Sequence, residues 1–211
     1  MATSKRRKRY LQALFWGFVA IWVLLAVKPV YRDDWFLENL LVFAAVPYTL
    51  YLHRRLPLSS LSYTLIFVFL VLHSIGAHYT YSEVPVGKTV SAWLGFERNH
   101  YDRMVHFLWG FLLTIPIFEI LRRRVSRRVR VVFVFACSII TLLGVLYELM
   151  EWAAAVVVAP EAGTAFLGTQ GDEWDAQKDL LLNLSGAIAS AVFLPFLVRK
   201  KSEPDTSKAT T

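Results

Sequence analysis

Acidic and histidine side chains recur at short, regular spacings in the second half of this chain. Asp102 and His106 are four residues apart. Glu148 and Glu151 are three apart, so the members of each pair share one face of a helix. An imidazole that a carboxylate orients can act as a general base or as a metal ligand. Clustered carboxylates shift one another's pKa values, so that one can act as an acid while another stays ionised. The pattern predicts acid–base or metal-assisted chemistry.

A polar stripe precedes the last apolar segment. Asp175, Asp179, Asn183 and Gly186 recur at intervals of four, four and three residues, as one face of a helix would present them. Oxygen ligands combined with one or two histidines suit Mn, Mg, Ca or Zn, so a divalent metal is the expected cofactor. The expected catalytic residues are His106, Asp102, Glu148, Glu151 and Asp179. The expected metal ligands are His106, Glu148, Glu151, Asp175 and Asp179.

Two further polar segments are expected to line the same pocket. The third apolar segment ends in HSIGAHYTYSE (residues 73–83), and GTQGDEWDAQ (residues 168–177) leads into the last one. They belong to connections, near 78–102 and 152–178, that exceed the usual loop length, and long ordered loops often carry function. The expected substrate-binding residues are His78, Tyr81, Glu83, Arg103, Asp172, Asp175 and Asn183.

The elements that must position these side chains are membrane-spanning helices. The chain has 211 residues, of which 56% are hydrophobic and 15% are aromatic. Several uncharged runs approach the roughly 20 apolar residues that cross a hydrocarbon core about 30 Å thick. We therefore predict an all-α fold, a polytopic membrane helix bundle with about six transmembrane helices. The expected spans lie near residues 10–27, 36–52, 61–77, 103–121, 131–151 and 179–198.

Residues 1–201 are expected to form a single integral membrane domain, because no internal repeat or soluble-domain boundary interrupts them. The N-terminal KRRKR run and the apolar stretch behind it have the first two parts of a signal peptide. They lack a convincing small-x-small cleavage site, so a retained first helix is expected, with a cleaved signal as the alternative. The polar segment 202–211 is expected to be a disordered cytoplasmic tail.

The positive charges lie where they would orient the spans in the membrane. The formal net charge is +7, but the Lys and Arg residues stand in short runs beside apolar segments. This placement favours topology signals over a nucleic-acid surface, so the expected partners are membrane lipids and no nucleic acid. By the positive-inside rule, both termini are cytoplasmic and the acidic groups lie at the outer face of the cell membrane. The single cysteine, Cys137, excludes a disulfide within the chain.

The acidic groups are expected to meet in a shallow, hydrated pocket. Glu148 lies about 25 Å along the fifth span if that span begins near Val131, because each helical residue advances about 1.5 Å. An ionised side chain that faces lipid is costly, so one shared cavity accommodates these groups more easily than separate sites. In the preceding connection, residues 84–99 carry apolar side chains at helical spacing and predict a short interfacial helix with Trp93 at headgroup depth.

Each of these residue types also has a structural interpretation. Acidic residues near helix starts can cap the helix or favour its positive end, which applies to Asp102, Asp172, Glu173 and Asp175. Two histidines could serve only packing, namely His73 and His78. Aromatic side chains can anchor helices at the interface, which applies to Tyr79, Tyr81, Trp109, Trp152 and Trp174. Arg103 could pair with Glu148 or Glu151, which would make the cluster a structural salt-bridge network.

The motifs around these residues are similar to those of a known family. HYTYSEVP, RNHYDRMVHF, YELMEW and FLGTQGDEWDAQKDLLLN resemble the YjdF-like bacterial inner membrane proteins, from His73 to Gly186. More distantly, D-R-x-x-H-F at 102–107, E-x-x-E at 148–151 and D-x-x-x-N-x-x-G at 179–186 resemble the VanZ-like membrane proteins, which are associated with cell-envelope traits. The chain has Glu151 where that group commonly has glutamine. The resemblance implies a multi-pass inner membrane protein and supports the site, but it supplies no reaction.

Three functions remain open from the sequence. The favoured one is an intramembrane enzyme that acts on a lipid-linked or amphiphilic envelope substrate from the outer face. The second is a cation, proton or small-molecule binding, sensing or transport protein. The third is a structural membrane protein, in which the polar network only stiffens the outer half. Among acidic and histidine residues, the inner halves of the spans hold only Glu119 and His53, near the cytoplasmic edge. This argues against a polar path across the membrane. No HExxH or GxSxG motif specifies a reaction.

Overall fold

The computed structural model describes residues 2–158 and 169–198, and their secondary structure is helical. The first four helices are α1 (Ala2–Leu25), α2 (Arg32–Arg55), α3 (Ser60–His78) and α4 (Pro85–Leu94). They are followed by α5 (Tyr101–Arg124), α6 (Val129–Val158), α7 (Asp175–Ala189), a 3-10 turn (Ser190–Phe193) and α8 (Leu194–Val198). The all-α prediction is confirmed. The predicted tail at 202–211 lies outside the described residues.

Five of the described helices, α1, α2, α3, α5 and α6, are long and apolar enough to cross a membrane. The predicted sixth span near 179–198 is not one continuous helix. It is covered by α7, which has 15 residues and begins before the predicted span at Asp175, by the 3-10 turn and by the 5 residues of α8. Alone, α7 is about 22 Å long, which is shorter than the hydrocarbon core. The α-helical pattern stops at Ser190, whose hydroxyl donates to the carbonyl of Ala187 at 2.6 Å.

The helices alternate in direction, so their connections collect at two ends of the bundle. At the end where α1, α3 and α6 finish, Nδ1 of His78 lies 2.7 Å from the carbonyl oxygen of Leu25. At the opposite end, Arg7 of α1 donates to the carbonyl of Leu58 before α3, at 2.6 Å. We call the first the acidic end, because α5 and α7 begin there with the candidate site residues. The second is the basic end, where α2 and α5 finish in arginines.

Helix α5 lies at the centre of the described bundle, with α3, α6 and α7 packed against it. Phe69 of α3 and Leu112 and Ile115 of α5 form part of one buried cluster. Nearer the basic end, Phe118 packs against Ala136 of α6. A helix that is covered on several faces needs apolar residues around most of its circumference. This explains why α5 is a nearly continuous apolar run below its polar first turns.

The backbones of α5 and α7 approach each other more closely than side chains would permit. A β-carbon on Gly110 would overlap the backbone oxygen of Asn183, and one on Gly186 would overlap the backbone oxygen of Phe107. Small residues allow such close contact between helices. Because this contact fixes the rotation of α7, its polar residues, which include Asp179 and Asn183, are buried against the bundle.

The connection between α3 and α5 contains α4, which confirms the predicted short helix. Pro85 occupies its first turn, where the missing N–H has no helical partner to lose. Gly95 ends the helix with a φ of 73°, a left-handed conformation that glycine adopts without steric cost. Trp93 is 84% exposed. Its placement at headgroup depth stays a prediction.

A polar cluster at the basic end joins α3 to α5. The buried carboxylate of Glu119 accepts hydrogen bonds from the Ser59 backbone N–H at 2.8 Å and from the Ser62 hydroxyl at 2.6 Å. It also pairs with Arg123, one turn further along α5. The Ser59 hydroxyl in turn accepts from the Ser62 N–H and caps α3. These contacts give Glu119 a structural role between the two helices.

Candidate functional site

Three side chains from two helices converge at the acidic end. Asp102 and His106 lie one turn apart on α5, and Asp179 approaches them from α7. One potential ligand atom from each lies within 4.8 Å of those of the other two. Nε2 of His106 is 3.4 Å from Oδ1 of Asp102. Asp179 is 2% exposed, and its buried Oδ1 has no hydrogen-bond partner among the described residues.

Helix α6 adds two carboxylates to this group. Oε1 of Glu148 lies 3.4 Å from Nε2 of His106, so the imidazole is placed between two carboxylates. This Oε1 is buried and makes no hydrogen bond of good geometry within the described chain. Glu151, one turn beyond Glu148, interacts electrostatically with Glu148, Asp102 and Asp179. We call the set the inner layer, which consists of Asp102, His106, Glu148, Glu151, Asp179 and Asn183.

Asn183 lies one turn deeper than Asp179 on α7. It is 0% exposed, and neither Oδ1 nor Nδ2 of its amide has a hydrogen-bond partner in the described part of the chain. Gly144 of α6 leaves the space for this amide, since a β-carbon there would overlap Nδ2. A buried polar group without a partner costs about 1–3 kcal/mol, so such groups generally bind water or a ligand. The hydrogen-bonding capacity of the Asn183 amide is thus unused among the described residues.

Ion pairs cover the inner layer on the side of the acidic end. Nη2 of Arg98 lies 2.6 Å from Oδ1 of Asp175, and Nη2 of Arg103 lies 3.4 Å from the same atom. Arg103 also pairs with Asp172. Lys178 reaches Asp172 at 2.6 Å. We call these five residues the outer layer.

The two layers settle which carboxylates the arginines neutralise. The sequence-based pairing of Arg103 with Glu148 or Glu151 is wrong, because its guanidinium contacts Asp172 and Asp175. The predicted metal ligand Asp175 belongs to the outer layer for the same reason, whereas Asp102 belongs to the convergent group. The inner layer thus combines several carboxyl groups with one imidazole, and Nη2 of Arg98 reaches it at 4.0 Å from Oδ2 of Asp102.

The outer layer changes the protonation of groups outside the spans. The hydrogen bond from Lys178 is the main cause that lowers the pKa of Asp172 from 3.8 to about 2, and Arg103 adds to it. Asp172 is therefore ionised at neutral pH. Burial, followed by the charges of Arg103 and Arg98, lowers the pKa of His100 below its ordinary value.

A docked loop holds the outer layer in place. Oε1 of Gln170 accepts from the backbone N–H of Asn99 at 2.9 Å, and its Nε2 donates to the carbonyl of Asn99 at 3.1 Å. Gln170 and Gly171 have φ values of 47° and 84°, so the chain turns sharply at this point. The turn brings Asp172 back over Arg103. Residues 169–172 thus support the ion pairs structurally.

Comparisons with known proteins identify the family. Residues 10–200 match the family described as "Predicted membrane protein (DUF2238)". The chain belongs to this family. It is 41% identical over 161 residues to the inner membrane protein YjdF of Escherichia coli (strain K12), across 76% of this chain and 77% of that protein. No solved structure matches the chain. The YjdF-like resemblance and the multi-pass cell-membrane localisation are confirmed. The VanZ-like resemblance stays a prediction.

This DUF2238 protein has a buried glutamate on α2 that the sequence analysis missed. Glu38 is 3% exposed, and its carboxylate accepts a hydrogen bond from the Tyr147 hydroxyl of α6. Its backbone oxygen lies 3.0 Å from Nε2 of His73, whose Nδ1 lies 2.6 Å from the Tyr81 hydroxyl. In the neutral imidazole, Nε2 donates to the carbonyl, so Nδ1 accepts from Tyr81. Tyr147 directly precedes Glu148, so these residues connect α2 and α3 to the inner layer.

The sequence contains a signal for the connection between Glu38 and the inner layer. Glu38 and Asn39 stand together inside the second apolar span, where polar residues are expensive unless they have partners. The sequence left packing and ligation open for His73, whereas its ring bridges the backbone oxygen of Glu38 and the Tyr81 hydroxyl. Burial raises the pKa of Tyr81 well above its ordinary value, which keeps its phenol protonated and able to donate.

Two predicted substrate-binding residues lie apart from the inner and outer layers. His78 contacts the carbonyl of Leu25 and joins α3 to α1. Glu83 is exposed and pairs with Lys88. Five residues separate His73 from His78, which places them roughly 140° apart around α3. Since His73 faces the bundle towards α2, His78 cannot face the same side. The other predicted substrate-binding residues lie in the two layers or adjoin them, namely Tyr81, Arg103, Asp172, Asp175 and Asn183.

The structural interpretations of single residues have mixed outcomes. His100 occupies the N-cap position of α5, so Asp102 is not the cap. Trp109 is no interface anchor, because its Nε1 donates to the carbonyl of Ile140 at 3.0 Å inside the bundle. Trp152 and Trp174 are 61% and 60% exposed at the acidic end, as interface anchors would be.

Proposed function

We propose that this protein is a divalent-metal-dependent intramembrane enzyme that acts on a lipid-linked or amphiphilic substrate at the outer face of the membrane. The observation that carries the proposal is the convergence of Asp102, His106 and Asp179 within 4.8 Å. The unpartnered Oδ1 of Asp179 is independent support, because a buried carboxylate oxygen without a hydrogen bond is suited to a cation.

The charge balance of the inner layer supports a bound cation. Several carboxyl groups surround His106, and Arg98 reaches Asp102 at 4.0 Å, while the closer contacts of the arginines and Lys178 are with the outer carboxylates. Buried carboxylates need a proton, a cationic side chain or a metal to offset their desolvation. A divalent ion between Asp102, His106 and Asp179 would neutralise two of them at once. Glu148, beside His106, would then remain free to act in catalysis or to complete the ligand set.

The donor types narrow the chemistry. Two carboxylates and one imidazole suit Mn²⁺, Zn²⁺ or Mg²⁺ better than Cu⁺ or an iron–sulfur cluster, which prefer thiolates. Such an ion would supply a Lewis acid and lower the pKa of a bound water. Glu148 is placed to accept a proton from a water at His106, at a distance of 3.4 Å between Oε1 and Nε2. The outer arginines would meet an anionic substrate headgroup before it reaches the inner layer.

Metal binding by the purified protein tests the proposal. The protein is extracted in mild detergent, treated with EDTA, and titrated with Mn²⁺ and with Zn²⁺ by calorimetry. We expect about one equivalent for the wild type. Asp179→Asn and His106→Ala should weaken binding at least tenfold, since each removes one ligand.

Glu83→Gln is the matched control, because it neutralises a carboxylate at the same end that pairs with Lys88 outside the layers. It should bind metal as the wild type does. Failure of the wild type to bind either ion, or equal affinities in all variants, would overturn the metal proposal.

A second candidate function is binding or transport of a proton or another cation. The link from Tyr81 through His73 and Glu38 to Tyr147 favours it, because acid and histidine groups in membranes often relay protons. The described link stays in the half of the bundle near the acidic end. Apolar side chains such as Ile115 separate this half from Glu119. Cation or proton flux into liposomes that is lost in Asp179→Asn would favour this candidate over the enzyme.

The structural alternative predicts a different result. If the inner layer only stiffens the bundle, Glu148→Ala should lower thermal stability, and any envelope phenotype should follow protein abundance. A lost phenotype at unchanged abundance would reject the structural role. That result would support the enzyme only together with metal binding.

A further inference from the structure

A groove separates α1 from α2 at the basic end, far from the acidic site. It has a volume of about 790 Å³ and is lined by residues of α1, α2 and α3. At the opposite end the two helices are joined, because Nε1 of Trp22 donates to Oδ1 of Asn39 at 2.6 Å and Trp22 packs on Trp35. Both helices lie against α3, so they diverge towards the basic end and leave α3 as the floor of the groove.

The walls and the mouth of the groove differ in character. The walls are apolar, with side chains such as Phe15, Phe67 and Leu70. Arg7 and Lys8 lie at the mouth, at the start of α1. Among the described residues that line the groove, none is Asp or Glu. The mouth is therefore positively charged and the interior accepts hydrocarbon.

The length of the groove matches one leaflet. From Arg7 to Phe18, which also lines it, α1 advances about 16 Å at 1.5 Å per residue. Half of a hydrocarbon core about 30 Å thick is nearly the same length. A volume of about 790 Å³ is within the range of typical small-molecule sites. A lipid chain that enters at the basic end would thus reach the middle of the membrane.

Polar contacts keep the mouth ordered. Arg7 donates to the carbonyl of Leu58 at 2.6 Å, which holds its guanidinium at the α3 side. Nδ1 of His53 lies 2.7 Å from the Tyr63 hydroxyl, and both residues line the groove. A guanidinium, an ammonium and a phenol at one opening suit a phosphate group, which accepts several hydrogen bonds.

We propose that this groove binds one anionic phospholipid from the leaflet at the basic end, with an acyl chain between α1 and α2 and the phosphate at Arg7 and Lys8. Charge complementarity decides for an anionic headgroup, because basic pockets at this membrane level bind anionic lipids. The lipid would fill the space between helices that otherwise meet only near the acidic end. This site is independent of the metal centre.

Native mass spectrometry of the full-length protein tests this proposal. The protein is reconstituted in vesicles of phosphatidylglycerol and phosphatidylcholine in equal amounts, extracted, and analysed for bound lipid. The wild type should retain one phosphatidylglycerol. The double variant Arg7→Gln and Lys8→Gln should lose affinity by about 25-fold, the product of about fivefold for each cation.

A matched control separates the groove from the general positive charge of α1. Arg6→Gln with Arg9→Gln makes the same change of charge on the same helix, at residues that do not line the groove. This control should retain phosphatidylglycerol. Thr49→Trp keeps every charge and fills part of the groove, so it should lose the lipid without any change at the mouth.

Three results would overturn the proposal. Equal retention of phosphatidylcholine by the wild type would show that the headgroup is not recognised. Equal losses in the Arg7/Lys8 variant and the Arg6/Arg9 control would show a general charge effect. A dimer that dissociates on Thr49→Trp would show that a second copy of the chain covers the groove.

Discussion

The side-chain amide of Asn183 occupies the space that a β-carbon on Gly144 would need. Asn183 belongs to α7 and Gly144 to α6, so this contact sets the distance between two helices that carry parts of the inner layer. The amide lies one turn below Asp179, which is one of the three convergent residues. A change at Gly144 should therefore reach the candidate metal site without removing any of its ligands.

Gly144→Ala tests this coupling. The added methyl group must displace the amide or separate the helices, so we expect the free energy of unfolding to fall by about 1–3 kcal/mol. Metal affinity should fall with it, because Asp179 moves relative to Asp102. Thermal unfolding in detergent and calorimetric titration with Mn²⁺ measure the two effects.

Gly17→Ala is the control for helix propensity. The nearest side-chain atom to a β-carbon at Gly17 is Cε2 of Phe67, at 3.9 Å, an ordinary contact. This variant should be as stable as the wild type or more stable by up to about 1 kcal/mol. A Gly144→Ala protein that behaves like Gly17→Ala would show that α6 and α7 are not coupled at this point.

The outer layer should make stability depend on pH through Asp172. Its pKa is about 2 in the folded protein, below the roughly 3.9 of an unfolded aspartate. The ion pairs of Asp172 therefore stabilise the folded protein above pH 4, and this stabilisation is lost as the pH falls towards 2. We expect the difference in Tm between the wild type and Asp172→Asn to shrink over that range.

Lys178→Met should shift this dependence. The hydrogen bond from Lys178 is the largest cause of the low pKa of Asp172, so its loss moves the pKa towards the ordinary value. The Tm difference that Asp172→Asn makes in this background should then fade at a higher pH. A difference that stays constant from pH 5 to pH 2 would contradict the ion-paired outer layer.

Glu119 should matter for stability and not for metal binding. Glu119→Gln removes a negative charge. The carboxylate accepts hydrogen bonds from Ser59 and Ser62 and pairs with Arg123. We expect a loss of about 1–3 kcal/mol in the free energy of unfolding, because buried partners are left poorly satisfied. Calorimetric titration with Mn²⁺ should give the affinity of the wild type. A weakened metal site in this variant would mean that the two polar clusters communicate.

The orientation of the bundle is testable directly. The positive-inside rule predicts that the basic end faces the cytoplasm and that both termini lie there. A C-terminal green fluorescent protein should therefore fluoresce, and a C-terminal alkaline phosphatase should be inactive. The reverse result would place the candidate metal site at the cytoplasmic face, and the proposed substrate would then have to be at that face.

Helical periodicity explains what the sequence could predict about the site. Asp102 and His106 share a face of α5 by spacing alone, and Asp179 and Asn183 share a face of α7. Their convergence then requires only that α5 and α7 pack together, which the structure shows at Gly110 and Gly186. The site residues on these two helices are therefore accessible to sequence reasoning.

The division into two layers was not predictable, because it depends on contacts between distant parts of the chain. Gln170 and Asn99 bind each other across 71 positions, and this contact decides that Arg103 faces Asp172. Glu38 was missed for a related reason. Asp34 is its one acidic or histidine neighbour at helical spacing on α2, and the hydrogen bond to its carboxylate comes from Tyr147 of a distant helix.

The end of the sixth predicted span shows a further limit. The run from 180 to 198 holds no charged residue, so hydropathy extends it as one segment. The 3-10 turn at Ser190–Phe193 depends on local hydrogen bonds. Hydropathy does not report such bonds. The multi-pass fold was thus predictable, and the continuity of its last segment was not.

The tight backbone contact of α5 with α7, at Gly110 and Gly186, has a consequence for biogenesis. Helix α7 is synthesised after its partner, and the aspartates in its first two turns would each cost about 3 kcal/mol on entering lipid alone. Its insertion therefore depends on contacts with the earlier helices, because the bilayer alone does not favour it.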